Sequence, residues 1–353
     1  MKNFTFFTCL FLLCSILAFS KETAKPKDGE GINSFLLSNG RNPKVHYDQF
    51  VELNKNKLGK NQSLLKDVSY ILPPLSNNVS TTTKSTNSNN TSSSAGAIPS
   101  NDAKALKNNT FVEPLFGKKH AEYTIQSNKL SGATFYLVSG HGGPDCGAIG
   151  YVNGTAIHEK EYAYDIMLRL ARSLKMQGAT VHIIIQDKNK GIRDDEFLKN
   201  TRKETCRGKE IPRNQKKRLQ QRCDEINTLS NQSKSAYQRA VFIHLDSRSN
   251  NKQVDVFFYH NQSSAAGKKL ANTMRTTLKE QYRKVQPDRG FTGTVSSRNL
   301  YVLANTNPVS LFAELGNIQN PRDQKRFLLS SNRDFLADWM CRGFIADYEN
   351  SRK

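Results

Sequence analysis

Four residues in this chain are of the types that perform hydrolytic metal chemistry, and each sits where an apolar run breaks. His141 follows the run Ala133 to Val138, inside the turn Ser139-Gly140-His141-Gly142-Gly143-Pro144. Glu159 opens a helical stretch, His244 lies near the end of the run Ala240 to Leu245, and Glu314 interrupts Ser310 to Leu315. Two neutral imidazoles and one carboxylate make a ligand set suited to zinc, with a fourth position left for water. A carboxylate within an apolar strand is costly unless it has a partner or a chemical role. Beside such a water Glu314 has that role, because it can take a proton as the nucleophile forms.

The competing residues fit that chemistry less well. His158 adjoins Glu159, but neighbours at a helix start point in different directions, so one ligand is expected there. His158-Glu159-Lys160-Glu161-Tyr162 is not the His-Glu-x-x-His helix of metalloproteases, because no second histidine follows. His182 alternates within a strand and reads as core. His46, His120 and His260 read as surface or packing residues. Cys146, five residues after His141, reads as a small buried residue rather than a ligand.

The elements that must position these residues alternate between strand and helix. Ala133 to Val138 is long enough for one buried strand, and its glycine-rich end delivers an imidazole to the C-terminal edge of a sheet, where open α/β folds bind ligands. Glu159 to Met176 places Ala163, Ile166, Leu170 and Leu174 on one helical face; Gly178 ends it and Ala179 to Ile185 is the next strand. Strand, helix, strand implies a right-handed parallel crossover. Asp187 to Arg239 is a polar insert with nine basic and two acidic residues between Arg202 and Arg222, read as a basic helical element and as a candidate lid. Further strands are expected at Ala240 to Leu245, Val254 to His260, Asn299 to Ala304 and Ser310 to Leu315. Helices are expected at Ala265 to Lys284 and across Asp323 to Tyr348. The fold class is α/β: one catalytic domain with a central, mostly parallel sheet flanked by helices.

Composition sets the surroundings. The chain has 353 residues and a formal charge of +21, from 52 Lys and Arg against 31 Asp and Glu. Residues 1–20 read as a signal peptide, with Lys2, an apolar core from Phe4 to Leu17 and a small-residue cleavage site. That core is short for a span and nothing later is apolar enough to cross a bilayer, so no stable membrane insertion is expected. For a secreted protein the positive surplus points to cell-wall polyanions rather than nucleic acid, for which no recognition motif is present. Residues 28–75 form a small ordered region. Residues 76–109 form a linker, since seventeen of the nineteen residues from Ser76 to Ser94 are Ser, Thr or Asn and cannot build a core. Residues 110–353 are the catalytic domain. Cys206 and Cys223 flank a basic loop, and an oxidising compartment makes them a candidate disulfide contributing roughly 3 kcal/mol. Cys341, among the apolar residues of the last helix, reads as core.

Four motifs in order resemble a known family. SGHGGPDCGAIG, HEKEYAYDIMLRLARSLKMQGATV, RAVFIHLDS and LFAELGNIQNPRD, followed by the final helix, resemble the zinc-dependent N-acetylmuramoyl-L-alanine amidases of bacteria over Gly132 to Tyr348. The resemblance implies zinc on His141, Glu159 and His244 and Glu314 as the catalytic glutamate. It implies peptidoglycan as substrate, cut at the amide between N-acetylmuramic acid and L-alanine by a monomer in the periplasm or cell envelope. A protein activator is left unassigned. Three positions depart from the family's usual pattern: Val138-Ser139 for Asp-Pro, Gln186-Asp187 for Thr-Arg, and Ala304 for a basic residue. Substrate contacts are the feature these departures bear on. The region from Gly29 to Pro74 resembles a degenerate LysM module through Phe50, Leu53, Asn54 and Tyr70-Ile71-Leu72-Pro73. The alternatives with the same residues are a zinc peptidase acting within the stem peptide and an inactive peptidoglycan-binding protein.

Overall fold

The structure, a computed structural model, describes residues 22–27, 30–41, 43–59, 63–74, 110–247 and 252–353. The expected signal peptide and the expected linker lie outside the described residues. The chain divides into two compact units, one before and one after residue 85.

The smaller unit runs strand, helix, helix, strand. Thr23–Ala24 pairs antiparallel with Tyr70–Ile71, and the helices Ile32–Ser38 and Pro43–Asn54 lie between them in sequence. Its core is an aromatic triangle of Phe35, Phe50 and Tyr70, with ring centroids 5.6 to 6.0 Å apart. Asn54 explains why an asparagine ends the second helix. Its buried amide accepts from Ile71 N at 2.8 Å and donates to Ile71 O at 2.8 Å, so one side chain closes the strand against the helix.

The larger unit is built on a six-stranded sheet. Its elements are β1 (Ala133–Ser139), α1 (Glu159–Met176), β2 (Thr180–Ile183), α2 (Gln215–Gln232), β3 (Tyr237–Asp246), β4 (Phe257–His260), α3 (Ala265–Val285), β5 (Thr294–Ser297), α4 (Tyr301–Ala304), β6 (Val309–Asn317), α5 (Pro321–Leu328) and α6 (Ser330–Ser351). The strand order is β5-β4-β6-β3-β1-β2, and every neighbouring pair is parallel except β4 with β6. All seven residues of β1 are buried, as expected of a central strand with both faces covered. α1 and α6 pack together and α6 also packs on α3; Asp347 of α6 accepts from Tyr237 at 2.7 Å and Arg239 at 2.8 Å of β3. From the opposite face of β3, Gln238 bonds Tyr136 at 2.6 Å and reaches Ser230 of α2.

The fold departs from the sequence reading in four places, the first being that the strand expected at Val254 to His260 forms only over Phe257–His260. The expected strand at Asn299 to Ala304 is the short helix α4, and the neighbouring edge strand is β5. The apolar tetrapeptide is held helical because Asn305 and Thr306 donate back to the carbonyls of Tyr301 and Val302, both at 2.8 Å. The expected strand at Ala179 to Ile185 stops at Ile183. Ile185–Gln186 instead pairs with Thr205–Cys206, joining Lys209–Glu210 in a separate three-stranded sheet. The last helical region is two helices, α5 and α6, separated at Leu329.

One buried arginine joins three elements. Arg333 of α6 donates to Asp165 of α1 at 2.7 Å, to the carbonyls of Phe327 and Leu328 at the end of α5, and to Arg193 O at 2.8 Å and Asp195 O at 3.0 Å. Burial opposes ionisation of Asp165, and Arg333 and Arg169 outweigh it and hold the carboxyl below its ordinary range. Breaking a buried pair leaves a charge without compensation, at about 3–5 kcal/mol. Arg333→Ala is therefore expected to lower stability by up to about that amount in urea unfolding, since Arg169 still pairs with Asp165 at 2.8 Å, and the double-mutant cycle with Asp165→Asn to show coupling between the two residues. Additive losses would show that the pair is not what Arg333 contributes.

Candidate metal centre

The centre forms where β1, β3 and β6 end on the C-terminal edge of the sheet. β1 stops at Ser139, and Gly140 N donates to Ile243 O at 2.8 Å, extending the ladder by one bond before the chain turns into His141. The next strand pair sets the fourth residue. In the parallel register of β3 and β6, His244 stands opposite Glu314, so their side chains share one face of the sheet on adjacent strands. Immediately beyond this pair the register slips, with Asp246 opposite Asn317. The extra residue on β6 is accommodated at Gly316, whose φ of +129° favours glycine.

A hairpin of Ile149–Val152 and Thr155–His158 then leads into α1 and places Glu159 on its first turn. Glu159 Oε1 lies 3.2 Å from His141 Nε2 and 3.0 Å from His244 Nδ1, and accepts from Leu245 N at 3.0 Å. Its other oxygen accepts from Ala148 N at 2.8 Å. Among the described residues, His141, Glu159 and His244 are the one group of ligand-bearing side chains close enough to hold a metal ion, with one donor atom of each within 4.8 Å of the others. Two imidazole nitrogens and a carboxylate oxygen, already converged, fit a zinc-like cation.

The charges respond to this convergence. Burial opposes the charge on His141, but Glu159 and Asp145 outweigh it and push the imidazole up to about 10. Burial likewise opposes ionisation of Glu159, and His141 and His244 hold it well below the ordinary carboxylate range. His244, half-buried, is pulled below its ordinary value by desolvation. The His244 ring stacks on Phe312 at 4.2 Å between centroids, which fixes its plane. Glycine at 140 is required by close approach: a Cβ there would lie 1.8 Å from His244 Nε2.

The residues that sequence reasoning did not single out are those that hold the ligands. Asp145 accepts from or shares a proton with His141 Nδ1 at 2.9 Å, leaving Nε2 for the cluster, as metal-binding histidines commonly require. Arg218 of α2 donates to the same carboxylate at 2.7 Å, and Arg222, one helical turn on and buried, donates to Gly140 O. Glu204 accepts from Gly143 N at 3.0 Å, and Lys160 donates to Gly143 O at 3.4 Å. The only signals for these were Asp145 four residues after His141 and the four-residue spacing of Arg218 and Arg222.

These contacts bear on two expectations. The Lys190 side chain bonds Glu161 at 2.9 Å and pairs with Glu204, so the first half of the insert is pinned to α1 and the glycine turn. Cys206 and Cys223 are both buried free thiols, and no bridge joins them. Burial pushes them up to about 11 and about 12, so both stay protonated at neutral pH and pack as small apolar groups. Cys341 is buried in the core, while Cys146 is half-buried. His158 stands at the residue before α1, makes no capping hydrogen bond with its side chain, and is outside the cluster.

An α/β sheet that converges two imidazoles and a carboxylate at its C-terminal edge is the frame of a metallohydrolase. The family described as N-acetylmuramoyl-L-alanine amidase matches residues 136–346, and the chain belongs to that family. It is 26% identical over 226 residues to the probable cell wall amidase LytH of Staphylococcus aureus, a match covering 61% of this chain and 58% of that protein's length. Similar solved structures include an N-acetylmuramoyl-L-alanine amidase from Clostridium difficile 630 (23% identity, 63% of this chain and 98% of that one, TM-score 0.45). Another is the apo form of Ami1 from Mycobacterium abscessus (18% identity, 62% of this chain and 100% of that one, TM-score 0.46). Among the described residues no helix is long and apolar enough to cross a membrane.

Two substitutions test the geometry. Gly140→Ala is expected to displace the His244 ring and abolish tight zinc binding in a folded protein, measured by chelator competition beside circular dichroism. Asp145→Ala is expected to weaken zinc binding by about 10- to 100-fold. Unchanged affinity in both would remove these side chains from the centre.

Proposed function

We propose that this chain hydrolyses the amide bond between N-acetylmuramic acid and L-alanine of peptidoglycan, with zinc held by His141, Glu159 and His244 and with Glu314 as the general base. The observation that carries the reading is the register that sets Glu314 beside His244, next to three converged donors, in a chain of this family. A bound zinc ion would polarise the scissile carbonyl and acidify the attacking water. Glu314, 8% exposed, takes the proton from that water and returns it to the leaving amine nitrogen. Glu159 is held by Leu245 N and Ala148 N, and the His244 ring by Phe312.

The smaller unit is read as a LysM-like module that keeps the enzyme on glycan. Its strand-helix-helix-strand order and the Asn54 clasp support this reading, as do the aromatic core residues. A secreted protein of the periplasm or cell envelope fits that arrangement, with residues 1–20 as its signal and residues 76–109 as a tether that raises the local concentration of substrate.

Purified protein incubated with isolated sacculi should release stem peptides that begin at L-alanine, with release lost to a chelator and restored by zinc. Glu314→Gln should reduce the rate by at least about 100-fold while zinc content and sacculus binding persist. Shortened stems still attached to sugar would make the enzyme a peptidase, and sacculus binding without products would make it a binder. Turnover surviving in Glu314→Gln would overturn the mechanism.

A further inference from the structure

The sheet face that carries the centre continues outward and is partly exposed towards its edge. The register sets His244, Glu314, Phe257 and Thr294 in one row across β3, β6, β4 and β5, and Phe242, Phe312, Tyr259 and Ser296 in the next. The opposite face of the same strands is closed, with Ile243, Ala313 and Phe258 fully buried. On the centre's face Phe242 is buried, Phe312 and Phe257 are half-buried, Tyr259 is buried beneath Arg298, and Thr294 and Ser296 at the edge are exposed.

This open strip ends in a positive charge. Arg298 follows β5, its N–H donates to His260 O at 3.1 Å, and its guanidinium stacks over Tyr259 at 4.9 Å from the ring centroid. The side chain is exposed, and among the described residues no carboxylate pairs with it. The stack continues inward, with Tyr259 6.1 Å from Phe312 and Phe312 4.2 Å from His244, so the guanidinium lies within about 15 Å of the His244 ring. Extended peptide advances about 3.3–3.6 Å per residue, so a chain leaving the centre reaches Arg298 within about four residues. A stacked guanidinium has little orientational freedom left and offers a planar fork that matches a carboxylate.

We propose that this open face is the subsite for the peptide side of the substrate, and that Arg298 is a specificity residue binding a carboxylate of the stem peptide. The assignment rests on the amidase reading for its substrate. The anionic character of the occupant follows from the charge of Arg298, and its path from the continuity of the face with Glu314.

The test uses the full chain, zinc-loaded, and two muramoyl tripeptides, one with free stem carboxylates and one with those carboxylates amidated. Arg298→Ala should raise KM for the acidic peptide by about 10- to 100-fold. It should leave kcat within about twofold, and the amidated peptide should be unaffected. Zinc content and melting temperature should match the parent. Calorimetry with Glu314→Gln, with and without Arg298→Ala, reads binding of the same peptides without turnover. Equal effects of Arg298→Ala on both peptides, or none on either, would overturn the subsite even if the amidase activity stands. Cleavage of neither peptide while the acidic one binds through Arg298 would overturn the amidase reading and leave the subsite. Absence of binding to both would overturn the subsite.

Discussion

The carboxylate of Glu159 is the constraint on which the rest of the centre depends. It is nearly fully buried, and one of its oxygens lies within 3.2 Å of both His141 and His244, which come from sequence positions 103 residues apart (244 against 141). An ionised carboxylate is tolerable at that depth only because cationic or hydrogen-bonding groups surround it. Ala148 N, Leu245 N and the two imidazoles supply those groups, so the helix start, the glycine turn and the end of β3 must all be in place together. The same demand makes the site receptive to a dication, which satisfies the carboxylate and both imidazoles at once.

Much of the architecture serves to keep that small cluster rigid. Parallel pairing of β3 and β6 fixes His244 and Glu314 along the sheet edge, because one step of register would turn either side chain to the other face, and pairing of β1 with β3 sets where the turn into His141 begins. The bulge at Gly316 bends β6 away after Glu314, and Asp323 of α5 captures the freed Asn317 N at 2.9 Å. From outside the sheet the basic insert presses on the turn. Arg218 charges the far side of Asp145, Arg222 holds Gly140, and Glu204 with Lys160 holds Gly143. Surface ion pairs contribute little in general, whereas these contacts are largely withdrawn from water and act on backbone that carries a ligand.

That bracing accounts for part of the chain's basic excess. Lys160, Lys190, Arg193 and Arg222 are spent inside the protein against Glu161, Glu204 and backbone carbonyls. Arg298, stacked over Tyr259 on the face that bears Glu314, is among the cations that stay exposed.

The sequence by itself determined the local objects: the buried strand into the glycine turn, the helix from Glu159 to Met176, the apolar strands bearing His244 and Glu314, and the four residues proposed for chemistry. These were legible because burial on both faces leaves continuous apolar runs, and a polar residue within such a run stands out. Only the tertiary structure decided the rest. Tyr301-Val302-Leu303-Ala304 is equally apolar as strand or helix, and the side chains of Asn305 and Thr306 settled it. Cys206 and Cys223 looked like bridge partners across a loop, yet the insert buries each as a thiol. The sequence assigns no individual role to Asp145, Glu204, Arg218 and Arg222. Their roles depend on which backbone amide or imidazole lies opposite them, and that is set by packing between segments 61 to 82 residues apart rather than by any local pattern.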